Sequence, residues 1–124
     1  MNSDDMKRRT KAFALQAIRF VKALPKDDAA WLMGKQYLRA GTSVGANYRA
    51  ACRARSTADM IAKLKVVEEE IDESSYWLEL FDESGYQDTD IKPLLKESNE
   101  LLSIVVATIK TLRRRPSDES GHFP

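Results

Sequence analysis

The chain is poor in the residues that most often do chemistry. Among its 124 residues there is one cysteine, Cys52, and one histidine, His122, near the end. A lone thiol forms neither an intrachain disulfide nor a cysteine-based metal cluster, which fits a reducing cytosol. Without paired imidazoles or thiolates, the usual zinc sites and histidine-assisted nucleophiles are excluded. Long apolar runs are also missing. None approaches the ~18 to 20 residues that span a bilayer, and "MNSDDMKRRTK" leads into a broken helical pattern rather than a signal-peptide core. A soluble cytoplasmic protein without membrane contact is expected.

What is present suits one small domain. The 43% apolar content over this length fills a single core and leaves no room for a second. The formal net charge is only +1, but it is unevenly spread. Residues 1–55 hold 12 Lys/Arg against 4 Asp/Glu, whereas residues 56–87 hold 2 against 9. Such asymmetry points to a polyanionic partner for the basic half, or to basic-to-acidic docking between copies of the chain.

Apolar spacing is helical throughout. A first helix is expected over about 3–24, with Ser3, Asp4 and Asp5 as cap and first-turn acids. Its stripe is Met6, Phe13, Ala17, Phe20, Val21 and Leu24, and Pro25 stops it. A second runs over about 27–55, capped by Asp27 or Asp28, with Trp31, Met33, Tyr37 and Val44 on its apolar side. "STAD", residues 56–59, has the form of a capping box opening a third helix over about 57–84, which Gly85 ends. There Met60, Leu64, Val67, Ile71, Ser74, Leu78 and Phe81 alternate spacings of four and three, the rhythm of helices packed side by side. The fourth covers about 91–112, with Leu94, Leu95, Ser98, Leu101, Leu102, Val105, Ile109 and Leu112 on one face and Pro93 harmless in its first turn. Residues 113–124 lack periodicity and are expected to be a disordered polar tail. Four helices with short connections predict an all-α, antiparallel up-down-up-down bundle over residues 1–112.

The stretch "RAGTSVGANYRAACRARS", residues 39–56, is the least ordinary part of the second helix. At 100° per residue, Lys35, Arg39, Thr42, Ala46, Arg49 and Arg53 share an arc of about 80°, a basic stripe that suits phosphate contacts or an acidic helix of another subunit. Met33, Tyr37, Ala40, Val44, Tyr48 and Ala51 face the other way, toward the core. Gly34, Gly41 and Gly45 fall between the two faces. Each costs the helix about 0.5 to 1 kcal/mol relative to alanine, so close approach of another helix backbone is expected there. A phosphate-binding loop is excluded, because "GTSVG" has neither a following Lys-Ser/Thr nor a preceding strand.

The third helix carries more apolar surface than one seam needs. Ala62, Val66, Trp77 and Leu80, with Glu73 among them, form a second side, and Val66, Glu73, Trp77 and Leu80 are expected at an interface between copies of the chain. Glu68, Glu69, Glu70, Asp72 and Glu73 do not make a di-iron site, which needs Glu-x-x-His pairs. No metal or other cofactor is expected, and no pair of inward-facing acids marks a hydrolase.

Arg39, "SVGAN" at 43–47, Arg55-Ser56, "ADMIAKL" at 58–64 and "YWLEL" at 76–80 resemble the bacterial four-helix-bundle proteins encoded in intervening sequences of 23S ribosomal RNA. That family includes the accessory variability proteins of diversity-generating retroelements. The resemblance implies a bundle assembling into a homopentameric, barrel-like ring with a basic surface. For the accessory branch it further implies nucleic-acid binding and association with a reverse transcriptase. It implies no enzymatic activity. On this basis the chain is expected to be a noncatalytic oligomer that binds RNA or DNA with weak sequence specificity. Lys35, Arg39, Arg49 and Arg53 would contact phosphates, helped by Lys7, Arg8, Lys11 and Arg113 to Arg115. The alternative expectation is a protein–protein adaptor or reverse-transcriptase accessory subunit, docking through its charged faces.

Overall fold

In the computed structural model, which describes residues 2–86 and 90–115, the chain is all-α. Its four helices are α1 (Ser3–Lys22), α2 (Asp28–Cys52), α3 (Thr57–Glu83) and α4 (Ile91–Arg113). Most of the residues assigned to a polar tail, 116–124, and His122 with them, lie outside the described residues; Arg113 belongs to α4.

Short polar side chains start the first three helices. Asn2, one residue before the expected cap Ser3, accepts the Asp5 N–H at 2.9 Å. Asp27 accepts the Ala30 N–H at 2.7 Å, and Ser56 accepts that of Asp59 at 3.1 Å. The Asp59 carboxylate reaches back to the Arg55 N–H at 3.2 Å and takes the Lys63 ammonium at 2.7 Å, and these bonds hold its pKa below the ordinary carboxylate value. Orphan N–H groups of the first turn are thereby satisfied.

The first two helices end earlier than their periodicity suggests. Leu24 precedes Pro25 and is driven out of helical geometry, and before it the Ala23 N–H divides between the Arg19 and Phe20 carbonyls, both at 3.2 Å. At the end of α2 the Arg53 and Ala54 N–H groups reach back only three residues, to Ala50 and Ala51 at 3.1 Å. That tight turn ends α2 at Cys52 rather than near Arg55. After α3, Gly85 takes φ +93°, and the Gly85 and Tyr86 N–H groups bond to the Asp82 and Phe81 carbonyls at 3.4 and 3.2 Å. Tyr86 stacks edge-on against Phe81, 5.2 Å away, completing a Schellman cap with its apolar contact.

Each helix packs along the next, whereas α1 and α4 touch sparsely. The core has two parts. One joins Met6 and Phe13 of α1, Val44 and Tyr48 of α2, Leu64 and Val67 of α3, and Val105, Ile109 and Leu112 of α4. The other joins Ala17 and Phe20, Tyr37, Leu78 and Phe81, and Ile91 and Leu94. The start of α1, the end of α2, the start of α3 and the end of α4 therefore share one end of the molecule. In the second part Phe20 meets Tyr37 and Phe81 edge-on at 5.5 and 5.1 Å. Ser74, in the middle of the α3 seam, is fully buried and bonds back to the Glu70 carbonyl at 2.8 Å.

The three glycines of α2 all face α1. A Cβ at Gly45 would lie 3.2 Å from Thr10 Oγ1 and 3.4 Å from the Thr10 backbone, and one at Gly41 would lie 3.0 Å from the Ala17 Cβ. At Gly34 the obstacle is the Leu24 Cδ1, also at 3.0 Å, which is the free end of a flexible side chain. Gly41→Ala should lower stability by about 1 kcal/mol, since overpacking against a rigid neighbour outweighs the gain in helix propensity. Gly34→Ala should be neutral or slightly stabilising. Urea unfolding of the two variants checks the contrast, and adding Ala17→Gly to Gly41→Ala should recover more than the sum of the single effects.

Candidate nucleic-acid interface

With the glycine side of α2 packed against α1 and the Tyr37, Val44 and Tyr48 side turned into the core, the side opposite that core face points outward. Lys35, Arg49 and Arg53 are exposed along it. Arg49 and Arg53 have no carboxylate partner among the described residues. The Lys35 ammonium lies over the Trp31 indole, 4.6 Å from the ring centroid.

Arg39 differs from the other three. Its guanidinium donates to Glu70 of α3 at 3.3 and 3.5 Å and also bonds to Glu73. Its charge is therefore met within the chain, and Arg39 ties α2 to α3 instead of standing free for a phosphate. The expectation for Glu73 changes with it: that carboxylate is engaged within its own chain. Trp77 and Leu80 are half-buried, and Trp77 packs against the second core cluster of its own chain. Of the four residues assigned to an interface between copies, Val66 alone is exposed.

Trp31 corrects the sequence reading most sharply. Grouped there with the core side of α2, it is instead 66% exposed. Its position at 220° on the wheel, against 260° for Lys35, falls within the basic arc of about 80°. The angle was available from spacing alone, but the weight given to a large apolar side chain hid it.

The accessory cations gather toward one end. Lys11 and Arg113 to Arg115 are exposed, Lys7 is half-buried, and Arg8 bonds to Asp5. Ser3 and Met6, Tyr48, Met60, and Leu112 and Arg115 line one cleft at that end, where the starts of α1 and α3 and the finish of α4 come together around α2. On the α1–α4 side, Arg9 makes a two-pronged bond to Glu97, Nε at 2.8 Å and Nη2 at 2.7 Å, and reaches Glu100 at 3.0 Å. The Glu97 bonds raise its pKa further above the ordinary arginine value. No group of three or more His, Cys, Asp or Glu side chains able to hold a metal occurs among the described residues. Nor is any described helix long and apolar enough to cross a membrane.

Helix order, a glycine-lined seam and an outward basic face define a small all-α bundle protein whose visible chemistry is charge presentation. The sequence profile of the 23S rRNA-intervening sequence proteins matches residues 3–107, and the chain belongs to that family. It is also similar to a Bacteroides thetaiotaomicron VPI-5482 protein, described as having unknown function and as coming from the S23 ribosomal protein family. The TM-score to that crystal structure is 0.81 at 34% identity, over 89% of this chain and 99% of the other. Among curated proteins nothing matches.

The Arg9 fork supplies a check on how the open side of the bundle is held. Arg9→Ala should cost about 2 kcal/mol in urea unfolding, and Arg9→Lys roughly half as much, because an ammonium keeps the charge but loses the planar two-bond geometry. Equal stability of all three proteins would mean that the bridge does not hold α1 to α4.

Proposed function

We propose that this protein is a noncatalytic, homo-oligomeric binder of nucleic acid, holding RNA or DNA with weak sequence specificity through the basic face of α2. The observation that carries the reading is the row of exposed cations Lys35, Arg49 and Arg53 on one rigid helix, in contrast to the neutralised Arg39. Guanidinium groups without carboxylate partners suit phosphates, which they bind through paired N–H donors. A straight row of them matches a regular backbone better than it matches any base sequence. The bundle over residues 1–112 is antiparallel in this reading, which the short connections between helices support. Its assembly is a ring, by family resemblance a homopentamer, in the cytoplasm. Val66 and Tyr76, exposed on the outer side of α3, offer apolar surface for contact between copies.

A second reading, an adaptor or reverse-transcriptase accessory subunit docked through charge, draws on the same residues: α3 presents exposed Glu69, Asp72 and Glu79. Filter binding of labelled RNA at two salt concentrations, with sedimentation of the same samples, separates the two. Arg49→Glu/Arg53→Glu should stay oligomeric, lose most RNA affinity, and reduce the slope of log K against log salt by about 1.4, the value for two phosphate contacts on a single strand. Arg39→Gln should lose much less. If the double variant stays oligomeric and binds RNA as tightly as wild type, the nucleic-acid reading is wrong. If it comes apart into protomers, the basic face belongs to a subunit contact and the adaptor reading takes its place.

A further inference from the structure

Trp31 is the most exposed large apolar side chain among the described residues, ahead of Leu32 at 54% and Tyr76 at 53%. It is nonetheless well placed. It sits in the first turn of α2, a turn capped by Asp27, and the Lys35 ammonium lies over its ring. Beside it is an open cleft of about 510 Å³, walled by Lys22, Pro25, Lys26, Lys35 and Leu38. Asp27 and Asp28 also line this cleft. Asp27 is already committed, accepting the Ala30 N–H at 2.7 Å and the Tyr86 hydroxyl at 2.9 Å. Three ammonium groups, those of Lys22, Lys26 and Lys35, and an indole thus stand against two carboxylates, and the cleft keeps a net positive charge.

We propose that Trp31 is a base-stacking platform at the end of the basic face, and that the ligand of this face is single-stranded nucleic acid, with a base on the indole and phosphates along Lys35, Arg49 and Arg53. The proposal rests on the nucleic-acid reading above and narrows it. Every nucleobase has a π-face, so one exposed ring on a cationic surface captures single strands without reading their sequence. A duplex keeps its bases stacked on each other and offers the ring nothing but its ends. Rise along the helix puts Lys35 about 6 Å and Arg53 about 33 Å from Trp31, so one extended strand of several nucleotides can touch the ring and the arginines together. Lys35 over one face of the indole leaves the other for a base and puts a cation beside that base's phosphate. Because the ring is carried by a helix rather than a loop, little conformational freedom remains to be lost on binding.

The test uses the full-length chain with oligouridylate, oligothymidylate and a duplex of matched length. The chain has two tryptophans, so Trp77→Phe leaves Trp31 as the sole emitter, with circular dichroism to show that this variant folds. Single strands should quench Trp31 emission with the midpoint found by filter binding. Trp31→Ala should weaken single-strand binding on the order of tenfold to a hundredfold, Trp31→Phe should retain most of the affinity, and duplex binding should change by less than about twofold. Leu32→Ala, next to the ring and also exposed, should bind as wild type does. Oligouridylate and oligothymidylate quenching alike would identify the base face as the determinant; either one quenching alone still supports stacking and assigns a role to the sugar or to the thymine methyl group, which oligodeoxyuridylate separates. If Trp31→Ala binds single strands as tightly as wild type while Arg49→Glu/Arg53→Glu still abolishes binding, stacking is overturned and the basic-face reading stands. If Trp31→Ala instead changes the sedimenting mass, Trp31 belongs to a contact between copies and the proposal falls. Absence of any binding by wild type would sink both readings.

Discussion

The close approach of α1 and α2 governs the rest of this molecule. With Gly41 against Ala17 and Gly45 against the backbone of Thr10, the two helices meet almost backbone to backbone. That contact sets the rotation of α2 about its own axis. Once its glycine side is committed to α1, Tyr37, Val44 and Tyr48 turn inward to meet α3, and Lys35, Arg49 and Arg53 turn outward. A bulkier α1–α2 seam would separate the helices and reorient both faces at once. Thr10 serves the seam in a second way. Its hydroxyl is buried yet satisfied by the Met6 carbonyl at 2.8 Å, so a small polar side chain fits there without an orphaned donor.

Much of the fold was legible in the residues. The seam of α3 from Leu64 to Phe81 is buried at the positions its spacing predicts, and so is that of α4 from Leu94 to Leu112 except at Leu95 and Leu102, which are half-buried. Periodicity carries that information because burial in a bundle follows the helix repeat. Helix ends were harder to place: Pro25 marks the stop of α1 to within two residues, but the last turn of α2 tightens through three-residue hydrogen bonds that leave no compositional mark. The candidate site was read less well. Arg39 was grouped with its stripe correctly by angle, but its pairing with Glu70 and Glu73 depends on the register between α2 and α3, which no single helix encodes. Trp31 failed for another reason: hydrophobicity usually predicts burial, and this indole, 66% exposed, breaks that rule.

The uneven charge of the sequence becomes a gradient in space. Because the start of α1 and the end of α2 lie together with the end of α4, their cations collect at one end, while Glu79, Asp82 and Glu83 finish α3 beside the opposite core cluster. A bundle built this way has an electric direction as well as a shape. Copies arranged around an axis would add their gradients, making a ring with one strongly positive rim, whereas random packing would cancel them.

The Tyr86 hydroxyl donates to the same Asp27 oxygen that caps α2, across a separation of 59 residues. The chain leaving α3 is thus latched to the turn that carries Trp31. The latch makes the posture of that indole a property of the far connection as well as of its own helix. Substitutions near Tyr86 would loosen the footing of the ring from a distance, so two relatives with identical second helices but different third connections would present the same aromatic surface with different steadiness.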